Sequence, residues 1–306
     1  MKSYDVVGIG AYCIDFLAVM DGYPSEDQKH EVPDMFMEGG GNAATGCVTV
    51  ARLGGRVAYH GAIAMDFLTE PVLDGFRREG VDTEWIEMKE GATPFSFIII
   101  NKSANTRTIM FRKKGVPPFK KDDVNEELIR STEVLFIDFY HPEASLKASE
   151  IASKNGIPVV LDAESIPRLA DEIIENVSHL ISSRDFAIRY TGLSEDAEDE
   201  GLLEELIVKV KCEVVGITLG ERGSVFYDKD SEEIIRQDAF KVDVLDTTGA
   251  GDVFHGAFSF FLAKGYSLAD IVRFSSACAS LSCRRIGGRA GIPSYDELIS
   301  FLNSTA

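Results

Sequence analysis

The sequence predicts a three-layer α/β/α core built on a mostly parallel sheet, with a small β-sheet lid beside it. Two observations carry this prediction. Short apolar runs alternate with longer amphipathic segments along most of the chain, which is typical of parallel strands joined by helices on both faces of a sheet. Two stretches break the alternation and have the composition of antiparallel strands set apart from the core.

The core elements follow from the two periodicities, short apolar runs for strands and apolar residues at helical spacing for helices. The predicted strands are Asp5–Gly10, Val57–Ala62, Val134–Ile137, Pro158–Leu161, His179–Ile181 and Val214–Thr218. The predicted helices are Ala43–Leu53, Thr69–Glu79, Pro142–Lys154, Pro167–Asn176 and Glu200–Lys211. Further along, Ser224–Tyr227 and Glu233–Arg236 are predicted to form a hairpin, and helices dominate from Asp252 onward.

Segments 16–37 and 86–115 are predicted to form the lid. The second segment contains Phe97–Ile100 and Arg107–Phe111, separated by the turn-like stretch Asn101–Asn105. A small sheet in this place would cover a site at the carboxyl ends of the parallel strands. A plain edge hairpin is the alternative that the periodicity leaves open. The rest of the chain, assigned to the α/β core, is 1–15, 38–85 and 116–306.

Composition and charge exclude several classes of partner. Lys and Arg number 31 against 50 Asp and Glu, which gives a formal net charge of −19. This charge argues against nucleic acid or an anionic membrane, because both would repel the protein. No apolar stretch reaches transmembrane length, and the N-terminus lacks a secretory signal pattern. The five cysteines show no metal-ligand spacing, so we expect reduced, buried thiols and a cytoplasmic protein.

The most informative motif is Asp-Thr-Thr-Gly-Ala-Gly-Asp at residues 246–252, which directly precedes an apolar helical run. Gly249 and Gly251 can adopt backbone angles closed to other residues, so their amides and that of Ala250 can converge on one point. A helix N-terminus adds unpaired N–H groups and a positive dipole end, which favour an anion. A carboxylate beside an anion-binding site would repel the anion. Its presence therefore indicates that Asp252 removes a proton from a hydroxyl that attacks the anion. The alternative is a tight turn with an ordinary first-turn acid.

Three other segments place polar or glycine residues next to predicted strands. Asp15 follows the first strand, where a carboxylate can accept hydrogen bonds from two hydroxyls of a polyol. Gly39–Gly41 allow backbone to approach a small ligand, and the amide of Asn42 can bind hydroxyls, although glycine and asparagine also simply start helices. Thr218–Gly223 form a glycine-bounded turn that can lie against nucleotide phosphates or be an ordinary β-turn.

Together, and in order along nearly the whole chain, these segments resemble the ribokinase-type (phosphofructokinase-B) family of carbohydrate kinases. The Asp-Thr-x-Gly-Ala-Gly-Asp element is highly specific to that family, and the Gly-Gly-Arg-Ala-Gly-Ile-Pro run at Gly287–Pro293 adds to the resemblance. The chain is most similar to sulfofructose kinase, fructokinase and ketohexokinase members. The resemblance implies a ribokinase-like fold and an ATP-dependent enzyme that phosphorylates a sugar hydroxyl.

The resemblance also implies a role for each matched residue. Asp252 would be the catalytic base, beside an anion hole formed by the amides of Gly249, Ala250 and Gly251. The residues implied to hold the sugar are Asp15, Gly40, Gly41, Asn42, Lys29, Arg112 and Tyr140. Those implied to line the nucleotide are Thr218, Gly220, Gly223, Ser183 and Ser276. Asp246 and Thr248 fall where some members bind a monovalent cation such as K⁺, and Mg²⁺ is the implied companion of ATP.

Two departures from the family pattern affect metal and substrate. Many members carry Asn-x-x-Glu, which orders magnesium and phosphates, where this chain has Ser182–Phe186; Arg184 or Asp185 could substitute. Arg112 and Tyr140 stand where sulfofructose kinases carry Asn and Arg, which argues against that particular substrate. Lys29, Arg107 and Arg112 are candidate contacts for an anionic substrate group, with a solvated strand face as the alternative for all three.

The sequence therefore predicts transfer of the γ-phosphoryl group of ATP to a hydroxyl of a ketose-like sugar or sugar acid. The partners would be these small molecules, with a homodimer through the lid left open. A nucleoside kinase of the same fold and a catalytically idle nucleotide or sugar sensor remain alternatives. The missing Asn-x-x-Glu favours the sensor, and the intact 246–252 loop opposes it. A nicotinamide dehydrogenase is opposed by a glycine run that follows the first strand too late.

Overall fold

The computed structural model describes residues 2–104 and 106–305. The strands within these residues are β1 (Tyr4–Ile9), β2 (Cys13–Met20), β3 (Asp34–Gly40), β4 (Val57–Tyr59), β5 (Gly61–Ala64), β6 (Ile86–Lys89), β7 (Phe95–Asn101), β8 (Thr106–Arg112), β9 (Thr132–Asp138), β10 (Val159–Ala163), β11 (His179–Ser183), β12 (Val214–Thr218), β13 (Ser224–Asp228) and β14 (Glu233–Gln237). The α-helices are α1 (Asn42–Arg52), α2 (Thr69–Arg78), α3 (Glu126–Arg130), α4 (Pro142–Lys154), α5 (Ala170–Ile174), α6 (Arg184–Thr191), α7 (Asp199–Lys209), α8 (Ala250–Ala263), α9 (Leu268–Ser282) and α10 (Tyr295–Ser304).

The large sheet has eight strands in the order β14-β13-β12-β11-β10-β9-β1-β4. Its strands run parallel from β12 to β4, and β13 and β14 form an antiparallel hairpin at one edge. The predicted mostly parallel sheet is therefore confirmed. The predicted strand Val57–Ala62 is in fact two strands, because the chain leaves this sheet at His60 and β5 then pairs with β6 in a separate two-stranded sheet.

A second, four-stranded sheet has the order β3-β2-β7-β8, and we call it the lid sheet. It differs from the predicted lid at its edges. β2 already begins at Cys13, β3 continues to Gly40, and residues 86–89 belong to β6 outside this sheet. β7 and β8 are antiparallel, as their polar connection suggests, and Asn105 of that connection lies outside the described residues.

The core consists of two apolar layers, one on each face of the large sheet. Alternate residues of one strand enter different layers: Val134 packs in the layer with α1, α8 and α9, whereas Leu135 packs in the layer with α4 and α7. α1 and α8 cross with their backbones in close contact, since a Cβ on Gly256 would lie 2.7 Å from the Cα of Gly46. This crossing fixes the N-terminal ends of α1 and α8, which carry Asn42 and Asp252.

Two further properties of the described residues concern membrane-spanning helices and cysteines. None of their helices is both long and apolar enough to cross a bilayer. All five cysteines are free thiols, and four of them are buried, as the cysteine spacing predicts.

Candidate active site

The N-terminus of α8 forms an open turn of backbone amides. Gly249 precedes the helix with φ 74°, a left-handed conformation that favours glycine, and no side chain of the described residues caps the helix. A Cβ on Gly249 would lie 2.8 Å from the carbonyl oxygen of Gly288, so the turn also packs directly against backbone. The amide of Ala250 makes a long, 3.3 Å hydrogen bond to the Thr247 carbonyl. The geometry suits a small anion at the helix dipole.

A cavity of about 740 Å³ extends from this turn to the turn after β12. Thr218, Gly220, Gly223 and Ser276, all expected to contact nucleotide, lie on its walls, together with Ala250 and Gly251 of the predicted anion hole. Its volume is that of sites for ligands of nucleotide size, which are typically about 300–1,000 Å³. Its apolar walls include Phe240, Val242, Val244, Phe254 and Ala279.

Ser183 and its neighbours do not line this cavity. The Ser183 hydroxyl accepts the Phe186 N–H at 3.1 Å and so caps α6. The Arg184 Nε donates to the buried Asp199 at 3.1 Å, and Asp185 pairs with Arg189 at 2.6 Å on the exposed face of α6. The structure therefore argues against the predicted substitution of Arg184 or Asp185 for the missing Asn-x-x-Glu, because both side chains form ion pairs with other residues.

Four carboxylates meet near the mouth of α8, and we call Asp138, Asp162, Glu164 and Asp252 the acid cluster. Asp138 ends β9, Asp162 lies near the end of β10, and Glu164 follows that strand. Loss of water contacts, then the charges of Asp162, Glu164 and Asp138, raise the pKa of Asp252 well above its usual value. A partly buried acid held in this field is a stronger base than an ordinary aspartate.

Backbone amides hold Asp138 in place. Its Oδ2 accepts the N–H groups of Ala11 at 2.7 Å and Ala43 at 3.2 Å, and its Oδ1 accepts that of Tyr140 at 2.8 Å. Burial nevertheless raises the pKa of Asp138 to about 7, since these amides only partly offset it and the charge of Asp162 adds to it. Asp138 thus joins β9 to the start of α1.

Asp162 has one satisfied oxygen and one that lacks a donor. Its Oδ2 accepts from the Asn42 side-chain amide at 3.0 Å, which ties α1 to β10. Its Oδ1 is fully buried, has no hydrogen-bond partner among the described residues, and lies 3.5 Å from the His255 Nε2. The other His255 nitrogen, Nδ1, faces the Gly251 carbonyl at 2.7 Å, so this histidine packs beneath the first turn of α8.

The glycine run before α1 packs against Asp15, and we call this region, where the sugar acceptor is predicted to bind, the acceptor side. The sequence predicts Asp15 at the end of the first core strand, but it is the third residue of β2, because the chain re-enters a strand at Cys13. Its carboxylate is buried against Gly40, where a Cβ would collide with it, and burial is the main cause of its raised pKa. Gly41 has φ 92° and packs on Tyr12 backbone, which leaves Asn42 to begin α1.

Two of the predicted sugar contacts, Lys29 and Arg112, lie away from Asp15. Lys29 lies in the exposed loop before β3, with no hydrogen bond or ion pair to any described residue. Arg112 shares a face of the lid sheet with Phe95, its guanidinium 5.9 Å from that ring, whereas Asp15 shares the opposite face with Ser96. The structure therefore does not bring Arg112 or Lys29 to Asp15.

Tyr140 does lie at the site. Its N–H donates to Asp138, its ring lies 5.6 Å from the Lys113 amine, and burial raises the pKa of its phenol to about 12. Tyr140 thus stays protonated and can act as a hydrogen-bond donor or acceptor.

Asp246 and Thr248 form a closed hydrogen-bonded unit at the start of the 246–252 loop. The Asp246 Oδ1 accepts the Thr248 N–H at 3.0 Å and its hydroxyl at 2.7 Å, while Oδ2 accepts the Gly287 N–H at 3.0 Å. Arg107 of β8 reaches the same loop, with its Nη1 2.6 Å from the Thr247 Oγ1. The lid sheet and the loop are therefore in direct contact.

Comparison with known proteins identifies the family of the chain. The family model described as "pfkB family carbohydrate kinase" matches residues 3–294. The chain belongs to the pfkB family of carbohydrate kinases. It is accordingly an ATP-dependent sugar kinase with a ribokinase-like fold, which confirms the fold and enzyme class predicted from the sequence.

Individual relatives of this kinase carry different substrate names. It is 30% identical to a ribokinase of Haemophilus influenzae over 269 residues, 86% of this chain and 87% of the relative. It is 26% identical to a ketohexokinase of Mus musculus over 313 residues, 98% of this chain and 100% of the relative. A crystal structure of an Agrobacterium tumefaciens protein assigned as a ribokinase matches with a TM-score of 0.92 and 26% identity, over 98% of this chain and 97% of that one.

Four residues of the candidate active site were not predicted from the sequence: Asp138, Asp162, Glu164 and Arg289. Asp138 and Asp162 each follow a predicted apolar strand directly, so the reasoning applied to Asp15 would have found both. Arg289 belongs to the Gly287–Pro293 run of the family resemblance, but nothing in that run pointed to its contacts. Its buried guanidinium donates to the Gly40 carbonyl at 3.1 Å and to the Thr45 hydroxyl at 3.3 Å, across a sequence separation that no pattern reveals.

Gly249→Ala tests the open turn at α8. We expect kcat to fall on the order of 10²–10³-fold, because the new Cβ would meet the Gly288 backbone and displace the anion-binding amides. Steady-state kinetics check this. Gly265→Ala is the matched control: Gly265 has a similar φ of 73° but open space around its Cβ, so it should cost about 1–2 kcal/mol of stability and leave turnover intact. Equal activity of the two variants would contradict the assignment.

Proposed function

We propose that this kinase transfers the γ-phosphoryl group of ATP to a hydroxyl of a ketose-like sugar, with Asp252 as the catalytic base. One observation carries the proposal: a carboxylate of raised pKa lies in the first turn of a helix that no described side chain caps, directly after Ala250 and Gly251, which line the nucleotide-sized cavity. A hydroxyl between this carboxylate and the cavity would meet a base on one side and a phosphoryl group on the other.

The chemistry is a single in-line displacement. The Asp252 carboxylate takes the proton of the acceptor hydroxyl, whose oxygen attacks the γ-phosphorus as the bond to the bridging oxygen of ADP breaks. The amides of Gly249, Ala250 and Gly251 donate to the phosphoryl oxygens as charge moves onto them. The cavity from Thr218 to Ser276 holds the nucleotide, and Asn42 and Asp15 orient the acceptor.

The donor set at the acid cluster fits Mg²⁺. The buried Oδ1 of Asp162 has no donor among the described residues, and neighbouring carboxylates repel one another unless a cation is present. Mg²⁺ binds through one or two carboxylates together with waters and substrate phosphates. Asp162 would hold it, and the bound ion would supply charge neutralisation for the phosphates. Among the described residues, no three His, Cys, Asp or Glu side chains form a metal-ligand group.

The acceptor side favours an uncharged sugar over a sugar acid. Of the three cations expected to contact an anionic substrate group, Lys29 is exposed without a partner among the described residues, Arg112 is on the opposite face of the lid sheet, and Arg107 contacts the 246–252 loop. Asp15 and Glu38, by contrast, are carboxylates at the site, and burial raises the pKa of both. Such acceptors suit sugar hydroxyls and repel a second carboxylate.

Asp252→Asn tests the proposed base. We expect kcat to fall on the order of 10²–10⁴-fold with the fold and the binding of both substrates retained, because the amide cannot accept the proton. The assay is ADP release with a panel of ketoses, ribose, aldonates and nucleosides as acceptors, with calorimetry to follow binding.

The control for this series is Asp185→Asn, which removes an acid from the exposed face of α6. Turnover of Asp252→Asn close to that of the control would remove Asp252 from the mechanism. Activity confined to nucleosides would make the enzyme a nucleoside kinase, and nucleotide or sugar binding without turnover would make it a sensor.

The acid cluster predicts the direction in which the pH profile of activity shifts when one of its acids is removed. The charge of Glu164 raises the pKa of Asp252, so Glu164→Gln should lower it and move the acid limb of the kcat/KM profile to lower pH. The base acts in its ionised form, so activity is lost as pH falls through that pKa. Glu204→Gln, at an exposed position of α7, should leave the profile unchanged. An acid limb that stays in place or moves to higher pH in Glu164→Gln would exclude this coupling.

We further propose that the lid sheet closes over the acceptor and pairs with the lid of a second copy. Phe16, Met37, Phe97 and Met110 form one cross-strand row, and the last three are 52%, 44% and 48% exposed. An apolar row of this kind marks an interaction surface.

Sedimentation velocity tests the pairing of lids. We expect a dimer for the native protein and a monomer for Met110→Asp, because a charge in the row would have to be buried on association. Val208→Asp, at an 80% exposed apolar residue of α7, should remain dimeric. A native protein that sediments as a monomer at micromolar concentration would exclude the lid dimer.

A further inference from the structure

One residue of the lid sheet makes direct polar contact with the 246–252 loop. Arg107 lies on β8, and its Nη1 donates to the Thr247 hydroxyl at 2.6 Å. The same nitrogen is 3.4 Å from the Asp246 Oδ1. The two residues are 139 positions apart in the chain, so this ion pair joins two separate parts of the molecule.

Asp246 requires such a partner. Its side chain is only 4% exposed, and a buried carboxylate is stable in its ionised form only when hydrogen bonds and a positive charge compensate for the lost water. Thr248 and Gly287 supply neutral donors to its two oxygens, and Arg107 supplies the charge.

Asp246 and Thr248 do not fit the monovalent cation site that the family resemblance implies. The Asp246 Oδ1 already accepts two hydrogen bonds from Thr248, Oδ2 accepts one from Gly287, and the Thr248 hydroxyl is used as a donor. An ion bound to Asp246 would stand in place of the Arg107 guanidinium, since both carry one positive charge and both would face Oδ1.

An apolar contact docks the same part of the lid sheet. Leu17, Val19, Ile98 and Ile100 form a small buried cluster, and Ile286 packs against it. Ile286 directly precedes Gly287, whose N–H donates to Asp246, and Gly288 packs against Gly249 of the anion hole. Ile100 is paired with Arg107 across β7 and β8. The apolar and ionic contacts therefore act on one junction.

We propose that Arg107 takes the place of a monovalent cation: it positions Asp246, and with it the anion-hole turn, when the lid sheet is docked. This inference rests on the proposed role of Gly249–Gly251. Arg107 is a positioning residue, because its contacts are to Asp246 and Thr247. The enzyme then needs no K⁺ for turnover, and its anion hole is fully ordered only under a closed lid.

Arg107→Met is the central variant, because it keeps an apolar stem of similar length and removes the charge. We expect the native enzyme to turn over equally in K⁺, Na⁺ and tetramethylammonium salts. In tetramethylammonium, Arg107→Met should lose kcat on the order of 10²-fold with a small change in KM for ATP, because the anion hole is displaced by a fraction of an ångström. K⁺ should restore much of this loss by entering the vacated position at Asp246.

Two further variants separate charge from fold. Arg107→Lys should keep most of the native rate without K⁺, since a positive charge remains. Lys102→Met removes an exposed charge from the turn that follows β7, where the lysine lies 3.8 Å from Asp34, and should match the native enzyme in every salt.

A second readout does not depend on turnover. Thermal unfolding with ADP bound should show a gain in midpoint from K⁺ over tetramethylammonium for Arg107→Met and none for the native protein. This arm distinguishes failure of the inference from failure of the proposed function, because it remains informative if no sugar in the acceptor panel is phosphorylated.

Several outcomes would overturn the inference. One is a native enzyme that K⁺ activates severalfold relative to tetramethylammonium. Another is an Arg107→Met variant whose kcat is native in every salt, or whose loss no monovalent cation restores in either readout. Each would mean that Arg107 does not supply the charge that Asp246 needs.

Discussion

The site depends on one constraint: α8 begins with backbone that no side chain in the described part of the chain caps. Its first N–H groups can be satisfied by a ligand only because Gly249 holds the chain in a left-handed turn against Gly288. The close crossing of α1 and α8 at Gly46 and Gly256 then holds this turn opposite the glycine run of the acceptor side. A phosphoryl group bound here would lie between the nucleotide cavity and the sugar without any cationic side chain in the turn itself.

Electrostatics explains why such a site can exist in a strongly acidic protein. The net charge of −19 would repel ATP at a distance, so attraction must come from local dipoles and from a bound cation. The acid cluster repels anions further, yet it raises the pKa of Asp252, and one oxygen of Asp162 has no hydrogen-bond donor within residues 2–104 and 106–305. Both features suit a site in which a divalent cation arrives with the nucleotide and a base acts on a neutral hydroxyl.

Much of this architecture could be predicted from the sequence, because it follows from short-range patterns of residues. The 246–252 loop, the glycine run and the parallel strands follow from short-range patterns, and the structure puts Thr218, Gly220, Gly223 and Ser276 on one cavity. Side-chain direction was harder to predict. Arg112 and Asp15 differ in face because strand residues alternate, and the register that decides it is set by pairing of β2 with β7 and β7 with β8.

Contacts between distant segments could not be predicted either, because they also depend on how the folded chain brings those segments together. Arg289 reaches Gly40, and Arg107 reaches Asp246, through folding that brings distant segments together, and neither contact leaves a periodic trace. Ser183 shows the converse: the family resemblance implied a nucleotide contact, but the start of α6 uses its hydroxyl as a cap. Competition of this kind between local capping and ligand binding cannot be resolved from residue type alone.

A crystal structure with a non-hydrolysable ATP analogue, Mg²⁺ and an accepted sugar would test the central claim most directly. We expect the terminal phosphate at the amides of Gly249–Gly251, and a carboxylate oxygen of Asp252 about 2.6–3.2 Å from the sugar hydroxyl nearest that phosphate. A terminal phosphate bound away from the start of α8, or an Asp252 side chain turned away from the sugar, would contradict it.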